Sequence, residues 1–219
     1  MIKIAVLDYG IGNLRSAEKA LQHVGAASHL VTDPAEVEAA DAVVLPGVGA
    51  FGACARALGE SGLEPVARAA LGAGVPFFGV CIGFQLLYAG SEENPGVAGL
   101  GVFPGTVALL PAGEKHPQMQ WNQLTPCRGP ADGCAGVRAD EGNGAEPVGP
   151  LRGLGEKPWV YFVHSYAPPI GPETVAVCDY GGPVAAVVVR DKVWGAQFHP
   201  EKSGRSGLAM LANFVALAA

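Results

Sequence analysis

Val75-Pro-Phe-Phe-Gly-Val-Cys-Ile-Gly-Phe-Gln-Leu-Leu87 carries an apolar strand pattern straight into Gly79-Val80-Cys81-Ile82-Gly83 and then into an apolar helix start. This is a nucleophile-elbow pattern with cysteine in the serine position. A turn that tight needs small residues on either side of the nucleophile, and glycine stands at both 79 and 83. A helix N-terminus behind a thiol stabilises thiolate. The peptide N–H of Ile82, next after the nucleophile, can point at a developing oxyanion. An isolated free cysteine is usually a buried small apolar residue. Here strand, glycines and helix start all agree on the elbow.

The surrounding chain alternates short apolar runs with helical spacing. Residues 2–7, 29–31, 42–45 and 75–80 read as strands. Residues 14–24 carry apolar side chains at helical spacing up to Gly25, and helical material around 53–72 lies between the third and fourth strands. Asp33 before Pro34 reads as an N-cap followed by proline at the first helical position. Strands separated by helices predict an α/β fold with a mostly parallel, doubly wound sheet. The C-terminal half reads as antiparallel additions to it: a hairpin over 97–110, then strands at 159–164, 174–179, 184–190 and 193–198. An amphipathic helix over 204–217 closes the chain. Residues 125–157 are rich in Gly and Pro and lack periodicity, so they read as a surface-loop insertion in one domain spanning 1–219.

Composition narrows the function. The chain has 219 residues, enough for one sizeable core, and a net charge of −6 with no basic run. That argues against gripping a phosphate backbone. No apolar stretch approaches membrane-helix length, and the opening MIKIAVLDYG is too short and strand-like for a signal peptide. The cysteines at 54, 81, 127, 134 and 178 have no CxxC spacing, so neither a disulfide framework nor a metal site is expected. A reducing, cytoplasmic setting fits this pattern.

Two further elements join the elbow. In Trp194-Gly-Ala-Gln-Phe-His-Pro-Glu201, His199 and Glu201 are two apart and share a face of an extended segment. A histidine base oriented by a carboxylate is what an activated thiol needs. Alone, His-x-Glu is usually a solvated turn; beside the elbow it becomes a triad in the order Cys81, His199, Glu201. Leu45-Pro-Gly-Val-Gly-Ala-Phe51 follows a strand, and its backbone N–H groups are candidates for the second half of an oxyanion hole. Gly10-Ile-Gly-Asn-Leu-Arg15 with Asp33 downstream also partly matches a dinucleotide fingerprint. Arg15, however, occupies the third glycine position. An α/β-hydrolase with a cysteine nucleophile shares the elbow, but draws its acid from a strand before the histidine, unlike His199-Pro-Glu201.

Together the three elements resemble the class I (triad) glutamine amidotransferases. Asp8-Tyr-Gly-Ile-Gly-Asn-Leu-Arg-Ser16, Pro46-Gly-Val-Gly-Ala-Phe51, Gln118-Met-Gln-Trp-Asn122, Tyr161-Phe-Val-His-Ser-Tyr166 and Gln197-Phe-His-Pro-Glu-Lys-Ser203 are similar to the branch of glutaminase subunits found in imidazole glycerol phosphate synthases. Glutaminase subunits of other biosynthetic amidotransferases share the triad and are the nearest alternative. The resemblance implies Cys81 as nucleophile, His199 as base and then acid, and Glu201 as its orienting partner. It implies Val48, Gly49 and Ile82 around the oxyanion, and Gln85, Ser165 and Tyr166 holding glutamine. Asn13, Trp121, Tyr161 and Lys202 are expected to face a (β/α)8-barrel cyclase subunit. That cyclase would use the ammonia to convert PRFAR to imidazole glycerol phosphate and AICAR in histidine biosynthesis. No cofactor is expected. Gln120 stands where this branch usually has glycine, and the 125–157 loop is longer than usual.

Overall fold

A computed structural model of the chain describes residues 1–127 and 149–219. The elements of its central sheet are β1 (Lys3–Leu7), β2 (Ala27–Val31), β3 (Ala42–Gly47), β4 (Phe77–Cys81), β8 (Thr125–Pro126), β11 (Thr174–Asp179), β12 (Pro183–Arg190) and β13 (Val193–Ala196). They run in the spatial order β2-β1-β3-β4-β13-β12-β11-β8. The five strands from β2 to β13 pair parallel to one another, and the pairs beyond β13 are antiparallel. The expected mostly parallel sheet with antiparallel additions is therefore present. Helices α1 (Leu14–His23), α2 (Pro34–Glu38), α3 (Phe51–Glu60), α4 (Glu64–Gly72), α5 (Ile82–Gln85) and α6 (Gly204–Leu217) complete the α/β framework. The Asp33 cap forms as read, its carboxylate accepting from the Ala35 N–H at 2.9 Å.

Burial explains the strand composition. β3 and β4 are buried at every residue, as strands covered on both faces must be. Trp194, Phe78 and Phe214 pack together under α6, with ring centroids 5.3 to 6.2 Å apart.

Three expectations about strands and packing fail. Residues 97–110 do not form a hairpin. Only β6 (Phe103–Leu109) is a strand there, pairing parallel with β5 (Tyr88–Ser91) and antiparallel with β10 (Tyr166–Ala167). The segment 97–102 instead packs back on the chain after the elbow, with Leu100 N–H bonded to the Leu86 carbonyl at 2.6 Å. Secondly, β9 (Trp159–His164) is no part of the main sheet. It pairs with β7 (Gln118–Gln123) in a separate antiparallel ribbon. Thirdly, Trp159, whose place flanking a strand predicts a packing residue, is 53% exposed.

The span read as loop 125–157 has structured ends: β8 pairs with β11, and Gly149–Leu151 form a 3-10 turn with Pro150 and Leu151 buried. Its interior, 128–148, lies outside the described residues. Cys127 is disulfide-bonded, contrary to the reading from cysteine spacing. Gln120 is exposed on β7 and is accommodated in an unbroken ladder opposite Phe162.

Candidate active site

The elbow forms where β4 meets α5. Cys81 has φ 55° and ψ −111°, a conformation that costs energy for any residue with a Cβ. Surrounding packing holds it there. A Cβ on Gly79 would lie 2.8 Å from the Phe84 Cα, and one on Gly83 would land on the Leu45 carbonyl group. Only glycine allows the strand, the turn and β3 to approach this closely. Cys81 is consequently locked at the carboxyl edge of the parallel sheet, beside the loop that follows β3.

The triad candidates converge although Cys81 and His199 lie far apart in sequence. His199 Nδ1 and Glu201 Oε1 are 2.8 Å apart, and both side chains are buried. With Nδ1 occupied by Glu201, the remaining ring nitrogen is left for Cys81, which lines the same pocket as His199 and whose interaction with the ring raises the ring's pKa. Burial opposes charge on His199. The hydrogen bonds to Cys81 and Glu201, with their negative charges, outweigh it and raise its pKa from 6.5 to about 10. Glu201 is pushed up by burial but pulled lower on balance, by His199 and by an Asn13 hydrogen bond. The arrangement favours a charged imidazole ring held between the Glu201 carboxylate and Cys81.

Two helix-capping positions are diverted to this site. Asn13 stands at the N-cap of α1 but makes no cap; its side-chain amide donates to Glu201 Oε1 at 3.0 Å across 188 residues. Ser203, at the N-cap of α6, also makes no cap. Its hydroxyl donates to the His199 carbonyl at 2.6 Å and accepts from the Tyr161 N–H at 3.0 Å. A capping residue is worth about 1 kcal/mol to a helix, and both positions forgo that. Asn13, expected on a partner face, steadies the carboxylate in the structure. Ser203 was not singled out from sequence; a serine before a helix reads simply as a cap.

A pocket of about 280 Å³ opens over Cys81 and His199, and Val48, Gly49, Ile82, Gln85, Ser165 and Tyr166 all line it. Lys202 reaches its rim as well. In the loop after β3, the Val48 carbonyl accepts from the Cys54 thiol at 3.2 Å, and the Pro46 carbonyl from the Tyr9 hydroxyl at 2.5 Å. Because a trans peptide sets N–H opposite C=O, the Gly49 N–H points away from Cys54. Glu93 and His164 also line the pocket and were missed as site residues. Glu93 accepts from the Phe51 N–H at 2.7 Å, so a carboxylate is held at the mouth. Among the described residues no cluster of ligating side chains is set to hold a metal. No described helix is long and apolar enough to cross a membrane.

Outside the pocket, Trp121 and Tyr161 face one another across the ribbon, ring centroids 6.0 Å apart, with Trp121 49% exposed. Met119 and Trp159 are exposed on the same ribbon. Exposed apolar side chains gathered in this way make the ribbon a candidate interaction surface.

His164 gives a pH prediction. Its Nδ1 lies 2.9 Å from the Tyr166 carbonyl. Burial, reinforced by His199 and partly offset by that hydrogen bond, lowers its pKa from 6.5 to about 4. The unfolded chain therefore takes up this proton first as pH falls, and stability declines between about pH 6.5 and 4. His199, with its raised value, contributes stability that is fully present below 6.5 and adds no slope in that window. A His164→Gln variant should show a flatter melting temperature against pH from about 6.5 to 4.5 than the parent. Parallel curves would show that His164 is not held neutral.

The carboxyl-edge cysteine, the His-Pro-Glu pair and the mixed sheet define a triad amidotransferase. The sequence matches the model of the family "Glutamine amidotransferase class-I" over residues 5–218, and the chain belongs to that family. It is 43% identical to the imidazole glycerol phosphate synthase subunit HisH of Salinibacter ruber, over 97% of this chain and 93% of that one. The HisH subunit of Methanothermobacter thermautotrophicus is also 43% identical, over 97% of each chain. Among solved structures, a glutamine amidotransferase superposes with a TM-score of 0.72 at 21% identity over 98% of both chains, a likeness of fold.

Proposed function

We propose that this chain is the glutaminase subunit of an imidazole glycerol phosphate synthase, hydrolysing L-glutamine to glutamate and ammonia. The observation that carries the proposal is the buried His199–Glu201 pair at 2.8 Å, sharing one pocket with Cys81.

The chemistry follows from that geometry. The Cys81 thiolate attacks the carboxamide carbon of glutamine. Charge moves to the carboxamide oxygen, where the Ile82 N–H and an N–H of the Val48–Gly49 loop stabilise it. Protonated His199 gives its proton to the departing nitrogen, and ammonia leaves a thioester on Cys81. Neutral His199 then takes a proton from water, which attacks the thioester and releases glutamate. Glu201, itself held by Asn13, keeps the ring oriented and stabilises its charged form. Gln85, Ser165 and Tyr166 bind the substrate, and the Glu93 carboxylate suits its α-ammonium group.

The partner is a (β/α)8-barrel cyclase docking on the face that carries Trp121, Tyr161 and Lys202. The complex works in the cytoplasm, where ammonia formed here converts PRFAR to imidazole glycerol phosphate and AICAR. The 43% identity to HisH subunits over nearly the whole chain supports this pairing.

The test is glutamate release by the purified chain alone and with a candidate cyclase subunit and its nucleotide substrate. The chain alone should be a poor glutaminase. Stimulation of about 10²-fold or more is expected, the scale of gaining one oxyanion donor. A basal rate already equal to that of the substrate-saturated complex would refute coupling to a synthase.

A further inference from the structure

Gln197 belongs to none of the roles assigned above, yet it is fully buried directly behind the nucleophile. Its side-chain Nε2 lies 3.9 Å from the Cys81 Sγ, within hydrogen-bonding range for sulfur. Its Oε1 accepts from Gln85 Nε2 at 3.1 Å. The same Gln85 nitrogen donates to the Tyr166 carbonyl at 2.8 Å. Each of the two Gln85 donor hydrogens therefore has an acceptor, and the direction of the chain of bonds is set. An amide turned the other way would place two carbonyl oxygens, or two NH2 groups, against one another.

A buried primary amide must satisfy both ends or lose free energy. For Gln197 the oxygen is taken by Gln85, which leaves an N–H aimed at sulfur. A neutral thiol gains little from such a donor, since sulfur is a weak acceptor. A thiolate gains much more, because hydrogen bonds to charged groups are about twice as strong. We infer that Gln197 is a catalytic residue whose amide N–H stabilises the Cys81 thiolate, and that Gln85 is the positioning residue that fixes the Gln197 amide in that orientation.

The inference rests on Cys81 being the nucleophile. The proton balance is simple. The Cys81 proton passes to His199, and the resulting charge on sulfur is held between the imidazolium and the Gln197 N–H. The opposing contact is the Val163 carbonyl, 3.8 Å from Sγ, which suits the protonated thiol. Gln197 therefore tips a balance between S–H pointing at Val163 and S⁻ facing His199 and Gln197. Gln85 also lines the pocket, and its Oε1 is buried with no partner. A substrate donor reaching that oxygen would tighten the same Gln85–Gln197–Cys81 chain.

The experiment follows alkylation of Cys81 by iodoacetamide across pH, read by peptide mass spectrometry. Iodoacetamide is small and needs no glutamine subsite, so the readout is thiolate population and not substrate affinity. In the full chain, Gln197→Met should slow alkylation at neutral pH about tenfold and displace the rate profile to higher pH by about one unit. Gln197→Glu, which sets a carboxylate against sulfur, should displace it further. Gln85→Met, which frees the Gln197 amide to turn, should reproduce part of the shift. In glutamine hydrolysis Gln197→Met should lower kcat with little change in KM. Profiles for Gln197→Met and parent that superimpose would overturn the inference. Should Gln197→Met fail to fold, Gln197→Glu and Gln85→Met decide on the same criterion. Retention of glutaminase activity in a Cys81→Ser variant would instead overturn the nucleophile assignment, a separate outcome.

Discussion

Cys81→Ser removes glutamine hydrolysis, with an expected loss on the order of 10⁴–10⁶-fold, the scale of deleting the nucleophile from a triad hydrolase. The substitution is nearly isosteric, so the elbow keeps its backbone at φ 55° and the site stays assembled. The chemistry fails for an electronic reason. Against the opposing effect of burial, hydrogen bonding and opposite charge from Cys81 and Glu201 raise the pKa of His199 to about 10. A serine hydroxyl does not supply that charge, because its proton is held far more tightly than a thiol's. Among the described residues, neither of the other free thiols is placed to take over. Burial raises Cys54 above the ordinary thiol range and Cys178 to about 12, and neither side chain lines the pocket. The complex with a cyclase should still form product from added ammonium salt, since that route bypasses Cys81. Steady-state glutamate release and ammonia-dependent synthesis, measured on the same preparation, separate the two functions. Retention of more than about one-hundredth of the parent's glutamine-dependent rate would show that another group attacks the carboxamide.

The parts of this site that were legible in sequence are those whose cause is local. Gly79, Cys81 and Gly83 lie within five residues, and the steric demand that selects them acts within the turn itself. His199 and Glu201 meet across one proline. Asn13 and Glu201 meet across 188 residues, and no local pattern distinguishes an asparagine that caps a helix from one that holds a distant carboxylate. The same holds for Gln197, whose partners are Gln85 and Cys81, and for Glu93, which reaches the α3 N-terminus. The ribbon of β7 and β9 was misplaced for a related reason. The alternating burial of β9 states that one face is covered, not which strand lies beside it. Its partner, Gln118–Gln123, is mostly polar, and its only large apolar side chains, Met119 and Trp121, are exposed, so no buried face marks it as a strand. The supposed hairpin at 97–110 failed because β6 finds its partners in β5, just after the elbow, and in β10, so tertiary pairing decided a segment whose own pattern allowed a local one.

Gly83→Ala should have the larger structural effect, because it strikes a close backbone approach between the elbow and the strand that leads into the oxyanion loop. An added Cβ would land on the Leu45 carbonyl oxygen and come within 2.7 Å of the Leu45 carbonyl carbon. Both are backbone atoms of β3, in register with Gly79 of β4. No rotamer change relieves such a clash; either β3 or the elbow has to move. Overpacking of this sort costs about 1–3 kcal/mol or more, against a net stability of about 5–15 kcal/mol for a domain. Protein that does fold will have shifted β3, and with it Pro46–Gly49, relative to Cys81. A displacement of about 1 Å between reacting groups costs about 10²-fold in rate. The expected result is a lowered melting temperature together with a glutaminase rate down by about 10²-fold or more. Gly72→Ala is the control. Gly72 ends α4 with nothing within 4 Å of the added methyl and an ordinary backbone conformation, so alanine there should be neutral or stabilising by up to about 1 kcal/mol. Thermal melts and kcat for the two variants test the argument directly. If Gly83→Ala kept the parent's melting temperature and turnover, the close approach of elbow and β3 would not be what holds Cys81 beside its oxyanion loop.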